Sequence, residues 1–365
     1  MDPSIMEFSP AWRSSEYYFF PDDVRKYPDA WMYVVWSRRG PGKTYSFLRS
    51  MLEPGTRFAY MKRTMKDVAL ICANKYGVDI SPFSPVNRDA GTSVRPQLIG
   101  DGIGGFYAEQ TEDGKPEGLP VGYVLALNAI KEIKGMELSD VDFMCLDEFI
   151  PQPGERISRS EGELLLSIYM TMQRDRIKRG RQPLKLVMFS NADQIATPIT
   201  AELDIMDRMA DLTASGKTHL YDEDRGILLH HITDYEVPLK KEELTGVYKA
   251  MKDTSWGRKA FGGEFAGNDF SNVGRKVLKG FRCAAAFTYR NRTAYIYRKS
   301  GEIYITYTRG QTPNIFDLTH ENDQKRFYYD YILDIRESLI ENRVTCEAYS
   351  LYDLIVNYKK IFAIT

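Results

Sequence analysis

The sequence has little that would place it anywhere but an ordinary aqueous compartment. No apolar run approaches the ~20 residues that a membrane-crossing helix needs. The opening stretch, MDPSIMEFSPAW, carries an acid at position 2 and lacks the hydrophobic core of a secretory leader. Cysteine is scarce: Cys72, Cys145, Cys283 and Cys346 lie far apart, with no C-x-x-C pair. That excludes a cysteine zinc ribbon and predicts reduced thiols in a cytosol. An excess of one charge is missing too, the formal net charge being −1. Attraction to nucleic acid must therefore come from local patches, not from the whole molecule. There is no internal repeat and no low-complexity tract, and 365 residues suffice for two separately cored domains.

What the chain does have is concentrated in Trp31–Leu48, WMYVVWSRRGPGKTYSFL. Trp31–Trp36 is a bulky, β-prone run with no polar break, which predicts a buried strand. Ser37–Thr44, SRRGPGKT, follows the phosphate-loop pattern G-x-x-x-x-G-K-[ST] with serine in place of the first glycine. Gly40 and Gly42 would let the backbone from Ser37 through Arg38, Arg39 and Pro41 curl around an anion, so that its N–H groups, which Pro41 lacks, face inward. The next helix adds the partial positive charge of its N-terminus. Lys43 is placed to reach the β- and γ-phosphates, and the Thr44 hydroxyl to ligate Mg²⁺.

Further along, Arg57–Met61 predicts a second strand, and Pro54–Gly55 before it a turn. Met65–Tyr76 has helical spacing. Residues 77–120 form an irregular excursion with a hairpin around Ile99–Tyr107, and Gly122–Asn128 resumes the core pattern. Val141–Glu148, VDFMCLDE, is an apolar strand ending in two adjacent acids. In open α/β sheets the ligand sits at that carboxyl edge. Glu161–Lys178 predicts an amphipathic helix ending in QRDRIKRGR, and Leu184–Ser190 another buried strand capped by Asn191. The alternation through residue 191 argues a doubly wound, mostly parallel sheet. Ile199–Leu212 reads as one helix, Lys240–Lys252 as a charged helix, and Ser255–Asn268 as a glycine-rich loop at a domain boundary. From Arg275 onward short β runs alternate with N-R and S-G turn signals, followed by helices over 324–342 and 349–360. This divides the chain into 1–212, a linker region 213–268, and an α+β domain over 269–365. Residues 1–30 pack across the first strand or form a flap beside the nucleotide; the residues themselves leave both open.

The acids at the strand end sharpen the phosphate loop into a reaction. Asp147 fits the Walker B carboxylate that holds Mg²⁺, and Glu148 can deprotonate the attacking water. Asn191 would act as a polar sensor of the γ-phosphate or would simply cap a turn. Arg174 and Arg176 would complete a neighbouring subunit's site or merely complement the helix dipole. Other uses of the loop are a nucleotide kinase or phosphotransferase, a helicase-like nucleic-acid-dependent ATPase, and a non-catalytic scaffold. In the C-terminal third, Arg275–Arg309 holds nine Lys or Arg and a single acid, Glu302. Arg282, Arg290 and Arg292 are among these cations, interleaved with tyrosines. This suits sequence-independent contact with phosphates, or else a solvated strand face. It excludes a working two-metal nuclease there.

Five blocks taken together resemble the DNA-packaging (encapsidation) ATPases of small short-tailed, protein-primed phages. They are SRRGPGKTY, FAYMKR, GYVLALN with EIKG, FMCLDEF, and TMQRDR followed by LVMFSNA. The resemblance implies a P-loop NTPase of the ASCE type with a smaller, RNase H-like vestigial nuclease domain. It implies an ATP-hydrolysing motor, with Mg²⁺, that drives double-stranded DNA into a preformed capsid. The motor would form a homo-oligomeric ring, a pentamer, docked on the capsid portal in the host cytoplasm, in some relatives with a packaging RNA. Residue by residue it implies phosphate and Mg²⁺ binding by Lys43 and Thr44, the Walker B role for Asp147, and the catalytic role for Glu148. Arg174 matches the finger acting in trans. Lys134, with Lys131 beside it, matches the basic position that couples subunits or touches DNA.

Overall fold

The computed structural model describes residues 10–52, 56–73, 80–152, 154–155, 157–239, 245–262, 265 and 268–364. The chain divides into two compact units, one formed by Met1–Leu203 with Asp211–Gly267, the other by Asp204–Ala210 with Asn268–Thr365.

The larger unit begins with α1 (Phe20–Lys26), β1 (Met32–Ser37) and α2 (Lys43–Ser50), then β2 (Phe58–Lys62) and α3 (Met65–Ile71). The excursion holds α4 (Ser84–Ala90), the hairpin β3 (Arg95–Gly100) and β4 (Ile103–Tyr107), and a two-residue pair β5 (Glu109–Gln110) with β6 (Pro116–Glu117). After it come β7 (Gly122–Ala126), α5 (Ile130–Ile133), β8 (Phe143–Asp147), α6 (Glu161–Gln173) and β9 (Lys185–Asn191). Next are α7 (Pro198–Glu202), α8 (Met206–Ser215, of which Met206–Ala210 belongs to the smaller unit), β10 (His219–Asp222), β11 (Ile227–Ile232), α9 (Gly246–Met251) and α10 (Ser255–Gly262).

Nine strands form one sheet in the order β10-β11-β1-β9-β8-β2-β7-β4-β3. The six central strands from β11 to β7 are all parallel, and an antiparallel hairpin closes each edge. Burial explains the sequence texture: every residue of β1, β8 and β11 is buried, as a parallel strand covered on both faces requires. The core on one face is aromatic. Phe20, Phe47, Phe143 and Phe189 meet edge to face at centroid distances of 5.5–6.4 Å. Phe20 comes from the N-terminal segment, whose ambiguity is thereby resolved for 18–26. This segment packs on α2, with the Phe20 N–H donating to Ser46 Oγ at 2.8 Å.

Several expectations are corrected. The stretch 213–268 is not a linker, because it supplies β10 and β11, and β11 pairs with β1 itself. Ser255–Asn268 is not all loop: α10 forms despite its glycines, with Gly257 lying against the backbone of Met251 where a side chain would not fit. The single helix over Ile199–Leu212 is two, α7 and α8, with Asp204 between them at φ 48°. The helix expected to run to Lys178 stops at Gln173, where Arg174 turns extended. The Pro54–Gly55 turn and residues 240–244 of the expected charged helix Lys240–Lys252 lie outside the described residues; α9 occupies most of the remainder of that helix.

The smaller unit is α+β. Its strands are β12 (Arg282–Tyr289), β13 (Arg292–Lys299), β14 (Glu302–Thr306), β15 (Ile315–Asp317) and β16 (Val344–Cys346), ordered β15-β12-β13-β14-β16. β12, β13 and β14 make an antiparallel meander, while β15 and β16 add in parallel at its two edges. The N-R and S-G signals are tight hairpin turns with positive φ at Arg290, Asn291, Ser300 and Gly301. The helices are α11 (Glu321–Phe327), a π turn (Tyr328–Ile332), α12 (Leu333–Ile340), α13 (Tyr349–Val356) and α14 (Tyr358–Phe362). With the sheet they enclose a core that includes Phe287, Ile296, Phe316, Phe327, Ile335 and Tyr358.

Candidate functional site

Three strand ends make the site. β9 lies between β1 and β8, so the loop after β1, the acids after β8 and the end of β9 emerge side by side. Ser37 is in register with Asn191, and Asp147 with Phe189 two residues earlier on β9. They come together because all three strands are parallel and end within two residues of each other. Between Ser37 and α2 the loop turns on Gly40 at φ 94° and Gly42 at φ 86°, conformations that cost glycine nothing.

Lys43 opens α2 and is buried. Its ammonium donates to Ser37 Oγ at 2.5 Å, to the Arg38 carbonyl at 3.3 Å and to Asn191 Oδ1 at 3.4 Å. The serine that replaces the motif's first glycine thus parks the lysine. Burial pulls the Lys43 pKa down to about 8, opposed by Asp147 and Glu148 and assisted by Arg38. The Thr44 hydroxyl donates to both Asp147 oxygens at 3.2 Å. That separation is close to the distance between adjacent ligands of an octahedral ion with bonds of about 2.1 Å, so Thr44 and Asp147 fit Mg²⁺.

Two residues at this site carried no role in the sequence. Tyr60, fully buried, donates its hydroxyl to Asp147 Oδ2 at 2.6 Å. Lys62 bridges the acids, 3.3 Å from Asp147 Oδ2 and 2.8 Å from Glu148 Oε2. Burial alone would lower the Lys62 pKa, but the two carboxylates overcome it and the net shift is upward. Both come from β2, the strand beside β8, and they lie two residues apart on one face. A charged residue ending the buried run FAYMK was the available signal; which strand neighbours β2 was not. Glu148 itself sits at φ 59°, a left-handed backbone that is rare outside glycine and concentrates at functional sites.

Not every expected residue joins. The Arg38 guanidinium is buried and committed to the Arg39, Val237 and Pro238 carbonyls and to Asp234, so it is not free for a phosphate. Arg39 is exposed. Lys131, within α5, and Lys134, its C-cap, are both exposed, and neither side chain makes a hydrogen bond or ion pair among the described residues.

The two arginines after α6 part company. Arg176 is wholly buried, donating to the Gln182, Ser139 and Val141 carbonyls and to the Asp142 carboxylate. Arg174, two residues earlier across Asp175 at φ 62°, is exposed and makes no hydrogen bond or ion pair among the described residues. Asp142 precedes β8, so this anchor lies at the sheet edge opposite Asp147 and Glu148, roughly 16 Å away along the strand. Arg174 therefore does not reach its own chain's phosphate loop.

In the smaller unit most expected nucleic-acid cations are occupied. Arg292 pairs with Asp204 at 3.3 Å and Asp207 at 3.6 Å and lies 3.7 Å over the Tyr307 ring, so its charge is already balanced within the smaller unit. Arg290 lies over the Tyr289 ring, and Lys276 holds Glu302, the stretch's one acid, at 2.8 Å. Arg282 is exposed, with no hydrogen bond or ion pair among the described residues.

No protein-family model matches the chain, and no curated protein sequence does. Solved structures do. The Phi-28 gp11 DNA packaging motor has a TM-score of 0.60 at 19% identity, over 96% of this chain and 99% of that one. The bacteriophage Phi-29 viral genome packaging motor assembly has a TM-score of 0.62 at 14% identity, over 95% and 99%. The resemblance to phage DNA-packaging ATPases that five short blocks carry thus extends, as fold, over nearly the whole chain.

Proposed function

We propose that this chain, whose fold is that of phage packaging motors, is an Mg²⁺-dependent ATPase that drives double-stranded DNA into a preformed capsid. One observation carries the proposal: Lys43, Thr44, Asp147 and Glu148, spread over 106 positions of sequence, meet at one edge of one sheet. The strand order, with β9 inserted between the phosphate-loop strand and the acidic strand, supports the ASCE type.

In the proposed cycle the backbone from Ser37 to Thr44 cradles the phosphates, and Lys43 leaves Ser37 and Asn191 to meet the γ-phosphate. Mg²⁺, held through Thr44 and Asp147, would neutralise phosphate charge. Tyr60 and Lys62 hold Asp147 from behind, so the carboxylate is oriented before nucleotide arrives. Glu148 accepts the proton of the attacking water. One of its oxygens is taken up by Lys62, and full general-base action requires that pair to loosen. Asn191, already bonded to Lys43, is placed to register loss of the γ-phosphate.

Arg174 completes the site of a neighbouring subunit. Its exposure, its distance from its own phosphate loop and the burial of Arg176 behind it all favour action in trans, and hence a homo-oligomeric ring, in our reading a pentamer on the capsid portal. The host cytoplasm, and a packaging RNA as an additional partner, belong to the same reading. In it Lys131, Lys134 and Arg282 are the cations left to meet phosphates or a neighbouring subunit. The smaller unit would be a nuclease-derived domain without a metal site, since Glu302 is exposed and already paired.

The test is ATP turnover with and without double-stranded DNA. Wild type should be stimulated, and Glu148→Gln should bind ATP normally yet lose about 10²–10⁴-fold in hydrolysis. Turnover indifferent to DNA would remove the motor; a Glu148→Gln enzyme with near-normal turnover would point to phosphotransfer instead.

A further inference from the structure

A second cluster of chemistry lies in the larger unit, away from the acids of β8, and the proposed ATPase makes no use of it. Asp23 from α1, His219 from β10 and His230 from β11 each offer one ligand atom, all within 4.8 Å of one another. Asp23 and His230 are almost wholly buried. The directions of the ring nitrogens matter most. His230 Nδ1 is 2.8 Å from Asp23 Oδ2, and His219 Nε2 is 3.4 Å from Asp23 Oδ1, so both rings point one nitrogen at the same carboxylate. Their opposite nitrogens both turn to Glu236, His230 Nε2 at 3.1 Å and His219 Nδ1 at 3.7 Å. One side thus gathers two imidazole nitrogens and a carboxylate. On the other side Glu236 meets His230 Nε2 and the Thr218 hydroxyl meets His219 Nδ1 at 2.8 Å, the kind of outer contact that fixes tautomer and orientation in histidine metal sites.

The two imidazole rings are stacked at 3.8 Å with planes 27° apart, so their Asp23-facing nitrogens stand side by side. The 3.4 Å between His219 Nε2 and Asp23 matches the roughly 3.4 Å between ligands of a tetrahedral ion with bonds of about 2.1 Å, and the 2.8 Å between His230 Nδ1 and Asp23 is a direct contact that an ion would open. Two nitrogens with one carboxylate suit zinc or a similar borderline ion, not Mg²⁺ or Ca²⁺, which take all-oxygen sets.

We propose that Asp23, His219 and His230 form a binding site for zinc or a similar borderline divalent ion, with Glu236 orienting the His230 ring and Thr218 the His219 ring. The site joins the N-terminal segment to the β10–β11 hairpin. That segment also touches the phosphate loop, since the Tyr18 hydroxyl donates to Asp23 at 2.7 Å and the Tyr18 N–H to the Pro41 carbonyl at 2.8 Å. Metal would therefore brace the loop without entering the reaction.

The experiment uses the full chain without a histidine tag, stripped with chelator and then titrated with Zn²⁺ or Co²⁺ in the presence of excess Mg²⁺ and ADP. The expected result is about one Zn²⁺ per chain and visible Co²⁺ absorption of a low-coordinate site. Asp23→Asn and His219→Ala should each lose at least about 100-fold in affinity, and Glu236→Gln about 10–100-fold. His320→Ala, at an exposed histidine of the smaller unit, should bind as wild type does. Wild-type affinity no higher than that of His219→Ala overturns the proposal, as does binding that vanishes in Asp147→Asn but survives in Asp23→Asn. Should the variants fail to fold, the wild-type Co²⁺ spectrum decides, and its absence counts against the site.

Discussion

The two sheets of this chain treat charge in opposite ways. In the larger, charged side chains are gathered at the carboxyl edge, where Lys62 pairs with Asp147 and Glu148 and the two acids raise the pKa of nearby Lys43 against burial. In the smaller, cations are spread along an antiparallel meander, and Arg292, Arg298 and Lys276 each have an acid of their own. The difference follows from sheet type. Parallel strands buried on both faces have only their ends for polar residues, so charges there crowd and remain partly unsatisfied. Antiparallel strands have a solvated face, where a charge finds a cross-strand or helical partner at little cost. Crowded, exchangeable charge is what a phosphate can compete for; paired surface charge mostly holds shape.

The sharpest way to break that contrast is at the α6 terminus, where both behaviours occur two residues apart. Arg176→Ala strips Asp142 and three carbonyls of a buried partner and should destabilise the protein by about 3–5 kcal/mol, read as a lowered denaturant midpoint. Arg174→Ala should leave stability within about 0.5 kcal/mol and instead reduce hydrolysis, with the defect appearing on a neighbour's site when mixed with Lys43→Ala chains. Equal losses of stability in the two variants would mean that Arg174 is a structural residue.

A smaller effect comes from Lys43. With its pKa near 8 in the free protein, it loses its proton as pH rises through about 8. ATP affinity should then fall by up to about tenfold per pH unit above that point, measurable by fluorescent-nucleotide titration. The free protein changes in the opposite sense. The folded pKa lies below the unfolded value, so the unfolded chain binds more protons between roughly pH 8 and 10 and stability rises there. Flat ATP affinity up to pH 9.5 would show that the crowded edge does not tune this lysine.

The smallest effect distinguishes cations within the smaller unit. Arg292→Ala should cost about 1 kcal/mol or less and leave the salt dependence of DNA binding unchanged, because its charge is already paired. Arg282→Ala should reduce the salt slope by about one. The reverse ranking would show that the pairs of Arg292 open on binding.

How much of this was readable in advance depended on how local each signal was. β1, its glycine loop and α2 lie in one stretch, and the DE pair closes an apolar run, so the phosphate site and its acids needed only neighbours in sequence. Where glycine frequency stood in for structure, the reading failed: α10 forms in a segment that looked like loop. It failed again where an element is short and mixed in character, so that β10 and β11, carrying histidines within an apolar run, passed for a linker. Roles that depend on strand order were invisible, Tyr60 and Lys62 among them, and so was the fate of Arg38, whose partners lie nearly two hundred residues later.

By itself the sequence determined that a parallel sheet would carry a phosphate loop and a pair of acids on its strand ends, because hydrophobic period and turn chemistry act over a few residues. Tertiary structure alone decided that β9 separates β1 from β8, that Lys62 meets Glu148, that Arg176 is buried while Arg174 is not, and that Asp23 faces two histidines. Those outcomes depend on which strands become neighbours, and that is settled by burial of the whole core and not by any one segment.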